Sequence, residues 1–561
     1  LKTLIILLFS AVLTASAQSP GIQSPGIQSL PRLEKNPTTS HYRFLVDDKP
    51  FLMLGAQINN SSSWPSTLPA AWKSLEDFHA NTAEAPVYWE QLEPTPNAFN
   101  FASVDLLITQ AREHHMRLVL LWFGTWKNGQ NHYVPEWVKS DTARYPRAIT
   151  AQGKLLDVMS PLGEATLAAD AHAFAALMHH VKEIDPQHTV ILIQVENESG
   201  TVGAVRDFSA TATKAFNAQV PAKLTSALHL KPGTWSQVFG PAADESFAAY
   251  TTAHYINQVA AAGKAELALP MYCNVWITYP AHGLENRDNP NLTAGQDYPS
   301  GGPQQQNIPI WKAAAPSIDA LAPDFYSAET PLFRDVLAAY ARPDNPLFIP
   351  ETPLGPNLGR FFFYTLGSGG IGFAPFGIDK AADPFAGDQT AQSAATTKAS
   401  ANLAENFALL SPIGEQIAQI NYEGKLQTAV EERGTERQVL HFNGVDAIAS
   451  FGFPQGDGRL PPGTATHTGR ALIAQLGPQE FLVTGFEASV TFRLPDSLGS
   501  AKNQQLEILT AEEGTYVNGT WAPNRILNGD QTDRGLNFYP GNHTIARIRL
   551  HTLPLYNQPT K

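Results

Sequence analysis

Two glutamates stand at the ends of apolar runs, and as a pair they carry a readable chemistry. Glu198 closes the run in ILIQVENESG, and Glu351 closes the run in PLFIPETPLG. A lone charged residue at a strand end is ordinarily solvated or ion-paired. An Asn197-Glu198 pair ending one strand, with a second Glu ending another, is more specific. Two carboxyl groups flanking a bond are what glycoside hydrolysis requires, ~5–5.5 Å apart when configuration is retained. One of them must be protonated at working pH, which takes burial or a neighbouring carboxylate. The other must stay ionised, held by hydrogen bonds.

The residues around this pair have several readings. Residues two apart share a strand face, so Glu196 could point inward with Glu198, one step deeper; it reads as a supporting carboxylate, with the acid role as the alternative. Glu329, in DFYSAETPLF, falls three residues past an expected strand end and is a less well placed rival to Glu351. Tyr326 is better placed there; its hydroxyl could donate to the ionised carboxylate, although packing at a rim suits it equally. Tyr88, Trp89, Trp122, Trp126 and Trp276 lie near strand ends. Each is a candidate platform for the C–H face of a sugar, and each is equally suited to a core.

These side chains need a scaffold that brings distant strand ends together. From about His41 to Asp379, apolar runs alternate with helical patterns such as SVDLLITQAREHH. The runs end near Gln57, Trp89, Gly124, Glu198, Trp276, Tyr326, Glu351 and Gly377. Several are apolar on both faces, as parallel strands covered by helices are. Eight such units predict a (β/α)8 TIM barrel over residues 41–400, with polar and aromatic residues at its C-terminal face. A doubly wound open sheet is the alternative, but no Gly-rich phosphate loop follows the first run. About 70 residues separate the fourth and fifth runs, where one unit needs only ~30. An insertion near 201–263 is therefore expected. A closing helix and short strands with turn signals over 401–561 predict an antiparallel β-sandwich-like domain.

The chain has 561 residues, enough for two or three domains. Its formal net charge of −13 repels phosphate backbones, so nucleic acid is not expected as a partner. The lone cysteine, Cys273, excludes an internal disulfide and a cysteine-based zinc site. The His114-His115 and His179-His180 pairs lack a carboxylate at ligand spacing, and neither metal nor cofactor is expected. Residues 1–17 read as a signal peptide: Lys2, an apolar run to Leu13, and Ala15-Ser16-Ala17. The run is shorter than the ~20 residues of a membrane span. A periplasmic or secreted protein, free of the membrane after cleavage, is expected. Residues 18–40, with the tandem QSPGIQSPGIQS, read as a flexible linker.

An Asn-Glu at the end of strand four and a Glu at the end of strand seven resemble the clan A glycoside hydrolases. QVENESG is similar to the QxENExG motif of glycoside hydrolase family 35, the β-galactosidases. PVYWEQLEPTPNAFNF resembles that family's strand-two region. LLWFGTWKNGQNHYVPEWVK and ENESGTVGAVRDFS look like the bacterial branch acting on plant-wall galactosides such as xyloglucan. The resemblance spans roughly residues 41 to 560. It implies a retaining double displacement, with Glu198 as acid/base, Glu351 as nucleophile, and Asn197 holding the sugar 2-hydroxyl. Ser199 stands where many members have Tyr, so the resemblance does not carry the detail of the adjoining subsite, although it carries the chemistry. The expected partner is a β-galactoside oligosaccharide or polysaccharide. A hydrolase for another terminal β-sugar, glucosamine or glucose, and a non-catalytic sugar-binding protein are the alternatives.

Overall fold

In a computed structural model, the described residues are 29–278, 292–379, 389–452, 463–464, 466–496, 504–541 and 543–554; side chains within 389–399 are described only at Lys398. The expected signal peptide and the linker up to residue 28 lie outside them.

Eight parallel strands form the central sheet. In chain order the barrel strands are Met53–Gln57, Thr82–Tyr88, Arg117–Lys127, Val190–Asn197, Met271–Trp276, Ala320–Asp324, Phe348–Ile349 and Gly372–Phe373. Each neighbours its predecessor, and the eighth pairs with the first. The ring closes between the sixth and seventh strands. There Asp324 bridges Glu351 in parallel, and the Phe325 N–H donates to the Glu351 carbonyl at 2.9 Å. The fold is the expected TIM barrel.

The third strand shows why these runs are apolar throughout. Val119, Leu121 and Phe123 point into the barrel and pack with Met53, Tyr272 and Phe348. Leu118, Leu120 and Trp122 point outward into the layer shared with the helices. Both faces are buried, so the period-two alternation joins two cores rather than core and solvent. A small antiparallel sheet, Arg32–Lys35, Tyr42–Val46 and Lys49–Phe51, adds Phe44 and Val46 to the interior cluster.

This sheet corrects the expected linker, because residues 32–35 form a strand. The RLEK segment contributes more than polarity: Glu34 pairs with Arg43 and accepts from the Tyr422 hydroxyl, while Leu33 packs on the interior cluster. The expected insertion also shortens. Ala243–Glu266 is a regular helix beside Glu164–Ile184 in the outer ring, so the added segment ends before Ala243. The closing helix, Gln389–Leu410, straddles the expected boundary at 400.

Beyond Leu426 the chain forms two antiparallel sheets of six and four strands around a separate apolar core that includes Phe451, Phe481 and Ile548. No helix of the described residues is long and apolar enough to cross a membrane.

Candidate active site

The fourth strand ends in an irregular backbone. Glu196 and Glu198 both adopt left-handed conformations, with φ of 63° and 44°. Such non-glycine residues are strained by about 1–3 kcal/mol each. The twist breaks the alternation. Glu196 turns outward, where its Oε2 accepts from the Trp126 N–H at 2.6 Å and it lies against Asp170. Asn197 and Glu198 turn toward the barrel axis. The expectation that Glu196 and Glu198 share a face is thereby corrected. Glu196 still has a supporting role, because with Asp170 it anchors the end of the third strand. Asp170 accepts from Trp122 Nε1 at 2.9 Å and Thr125 Oγ1 at 2.7 Å. Gly124 belongs to this packing: a Cβ there would lie 2.3 Å from Trp122 Nε1 and 2.8 Å from Glu196 Oε1.

Glu198 and Glu351 meet at the barrel mouth, together with Asp324 from the end of the sixth strand. One carboxyl oxygen from each of the three lies within 4.8 Å of the others, and all three side chains are buried. The two glutamates, 153 residues apart in sequence, thus bring carboxyl oxygens within 4.8 Å of each other.

Four donors surround Glu351. Its Oε1 receives Gln57 Nε2 at 3.1 Å, Asn197 Nδ2 at 3.2 Å and Asn274 Nδ2 at 3.3 Å. Its Oε2 receives the Tyr326 hydroxyl at 2.8 Å. An ionised carboxylate accepts all four. The amide orientations are set from behind. Lys127 Nζ donates to Asn197 Oδ1 at 2.8 Å, so the Asn197 amino group faces Glu351. The Glu198 backbone N–H donates to Asn274 Oδ1 at 2.9 Å, which turns the Asn274 amino group toward Asp324 and Glu351.

Glu198 is in the opposite situation. Burial, and then the charge of Glu351, push its carboxyl up to about 7, against the partial relief of Lys127. It therefore holds a proton near neutrality and can give it up. A carboxyl poised to donate beside one dressed with donors can protonate a leaving oxygen and attack the carbon that bore it.

A cavity of about 370 Å3 opens over the three acids. Asn60, Lys127, Asn128, Trp276, Tyr326 and Phe376 contribute to its walls. Trp276 is 43% exposed and offers an open ring. Tyr326 is 44% exposed along its ring, while its hydroxyl is sunk against Glu351. A larger cavity of about 710 Å3, between barrel and sandwich, shares no lining residue with this one.

The other expected platforms are corrected by their burial. Trp122 sits at an outward position of its strand and packs on Phe174. Trp126 packs edge-on against Tyr255, and Trp89 against Trp137. All three are at most 1% exposed and present no face to a ligand. Tyr88 points inward but is covered by Tyr133, and its hydroxyl accepts from the Ser63 N–H. Glu329 caps the helix Thr330–Tyr340 and is absent from the cavity wall.

Gln57, Lys127, Asn274 and Asp324 are site residues that the sequence reading passed over. Their signal was there: each is a polar residue near the end of an otherwise apolar inward run.

A family model described as "Domain of unknown function (DUF5597)" matches residues 403–539. A search of curated protein sequences finds no match. Among solved structures, the chain is similar to the catalytic domain of β-amylase from Paenibacillus polymyxa, at 13% identity and a TM-score of 0.43, covering 58% of this chain and 92% of that one. It is also similar to a β-galactosidase from the psychrophilic Marinomonas ef1, at 11% identity and a TM-score of 0.46, covering 66% of this chain and 62% of that one. An exo-β-1,4-mannosidase from Opitutaceae bacterium strain TAV5 is similar at 15% identity and a TM-score of 0.40, covering 69% of this chain and 63% of that one.

Proposed function

We propose that this protein is a retaining glycoside hydrolase that releases terminal β-D-galactose from plant cell-wall oligosaccharides or polysaccharides. Glu351 is the nucleophile and Glu198 the acid/base. The observation that carries the reading is the pair itself: two buried carboxyls within 4.8 Å, one pushed up to about 7 and the other receiving four hydrogen bonds. Glu351 attacks the anomeric carbon as Glu198 protonates the departing oxygen. Water then displaces Glu351, with Glu198 taking the water's proton. Asn197, at 3.2 Å from Glu351, is placed to hold the sugar 2-hydroxyl. Trp276 is the platform, and a cavity of about 370 Å3 suits one terminal sugar unit better than a long chain.

Galactose and xyloglucan-type side chains rest on the family 35 resemblance of QVENESG and of Leu120 to Lys139. The N-terminal sequence supports export to the periplasm or beyond.

Matched nitrophenyl β-galactoside, β-glucoside and β-glucosaminide, followed by xyloglucan fragments, lactose and galactan, test the sugar and the linkage. Release of β-galactose with its configuration kept, abolished in Glu351→Gln, is expected. Wild-type turnover by a folded Glu351→Gln variant, or an inverted first product, would overturn the mechanism. Preference for glucosamine or glucose would replace the sugar and leave the mechanism standing.

A further inference from the structure

The third carboxyl of the site is not required by a two-carboxylate double displacement. Asp324 is 2% exposed and lies beside both Glu198 and Glu351. No lysine, arginine or histidine of the described residues forms an ion pair with it, and Lys127 Nζ is engaged with Asn197 Oδ1. Its two oxygens have different surroundings. Oδ2 accepts from Asn274 Nδ2 at 2.7 Å. Oδ1 receives no donor from the described residues, although it is fully buried. The Asp324 and Glu198 carboxyls face each other with oxygens within 4.8 Å, and two carboxyl groups can hydrogen-bond only through a proton. One acceptor oxygen and one oxygen without a donor is the pattern of a neutral carboxylic acid.

We propose that Asp324 is a positioning residue that stays protonated and donates a hydrogen bond to Glu198, steadying the carboxylate that Glu198 becomes when it gives its proton away. The inference rests on the acid/base assignment made under Proposed function. In the first step the proton of Glu198 moves to the leaving oxygen as the glycosidic C–O bond breaks and the bond from C1 to Glu351 forms. Asp324 keeps its own proton. In the second step water adds to C1, the bond to Glu351 breaks, and Glu198 takes the water's proton while still held by Asp324. A buried neutral acid acting as a hydrogen-bond donor is an established device elsewhere.

The groups facing this pair bear the picture out. Burial first, then the charge of Glu351 just past the seventh strand and that of Glu198 when it is ionised, push Asp324 well above the usual carboxylate range. Lys127, on the third strand, opposes them only in part. The phenols of Tyr272 on the fifth strand, Tyr326 past the sixth and Tyr340 on the following helix are themselves pushed up, so they stay neutral.

The test compares two variants by the pH dependence of kcat/KM on a β-galactoside with a poor leaving group. In Asp324→Asn the amide oxygen accepts from Asn274 and the amide nitrogen donates to Glu198, so the neutral pattern is kept. The alkaline limb of this variant should stay within about half a pH unit of wild type. Asp324→Ala removes the donor. Its alkaline limb should move up by about one to two pH units, with a roughly tenfold or greater loss of kcat. An ionised Asp324 predicts the reverse for Asn: loss of a negative charge would move the limb down by a unit or more, and that result overturns the proposal. An unmoved limb in a folded Asp324→Ala, with only KM raised, overturns it too and makes Asp324 a sugar ligand. If the alanine variant fails to fold, the direction of the Asn limb decides alone. Glu351→Gln, run alongside, separates the two readings: an active Glu351→Gln removes the mechanism, whereas an inactive one leaves only Asp324 in question.

Discussion

The Tyr326 hydroxyl donates to Glu351 Oε2 at 2.8 Å, on the side of the carboxylate that the three amides leave free. It is a contact made from the open wall of the cavity onto a buried group. In the proposed mechanism, charge returns to this oxygen as Glu351 leaves carbon, and the phenol meets it there.

Tyr326→Phe should therefore slow turnover by about 10- to 100-fold, the worth of one hydrogen bond to a charged group. Because the ring is half exposed, the melting temperature should move by little. Steady-state kinetics beside a thermal melt read both. Unchanged kcat in the folded variant would leave Tyr326 as part of the wall only.

Glu198→Ala should cripple substrates with poor leaving groups. Activated aryl β-galactosides need less protonic help and should keep a faster first step. Added azide should then restore part of the turnover and yield a glycosyl azide, since an anionic nucleophile needs no base. Equal losses on all substrates, with no azide product, would count against the acid/base role.

Gly124→Ala should destabilise the fold by about 1–3 kcal/mol, because the added carbon meets Trp122 and Glu196 at closer than contact distance. The Thr125 to Lys127 segment would be displaced, and with it the lysine that orients Asn197. Chemical denaturation and kcat/KM should fall together. A variant as stable and active as wild type would show that this packing yields.

Stability should fall as pH rises from about 5 to 7. Glu198 is raised from 4.5 to about 7, and buried Glu84, Glu196 and Asp324 are also raised, with desolvation the largest cause for each. In this window the folded chain keeps protons that the unfolded chain has released, which favours folding less at each higher pH. Glu198 alone contributes on the order of 3 kcal/mol across it. Carboxylates lowered by ion pairing, such as Asp344, work in the opposite sense but titrate below the window. Melting temperatures at pH 5, 6 and 7 check this, and Glu198→Gln should flatten the slope. A melting temperature that climbs over that range would contradict it.

Much of this arrangement was legible from the chain. Parallel strands buried on two faces leave unbroken apolar runs, and the polar residues ending them mark the mouth. Glu198, Glu351, Asn197, Tyr326 and Trp276 were legible for that reason. Trp122 was not, because its type is compatible with either face and only the parity of its strand sends it outward. Glu196 was misread because strand alternation assumes extended backbone, and φ of 63° ends that assumption. Asp324 carried the signal of a polar residue near the end of an apolar run, but its meaning comes from two neighbours that are distant in sequence.

The closure of the barrel adds a consequence. Phe325 and Asp324 join Glu351 through main-chain pairing at the last seam of the ring. The residue proposed as nucleophile is thus also a fastening, through its main chain. The seam therefore fixes the backbone of Glu351 opposite Glu198, while four donors fix its side chain.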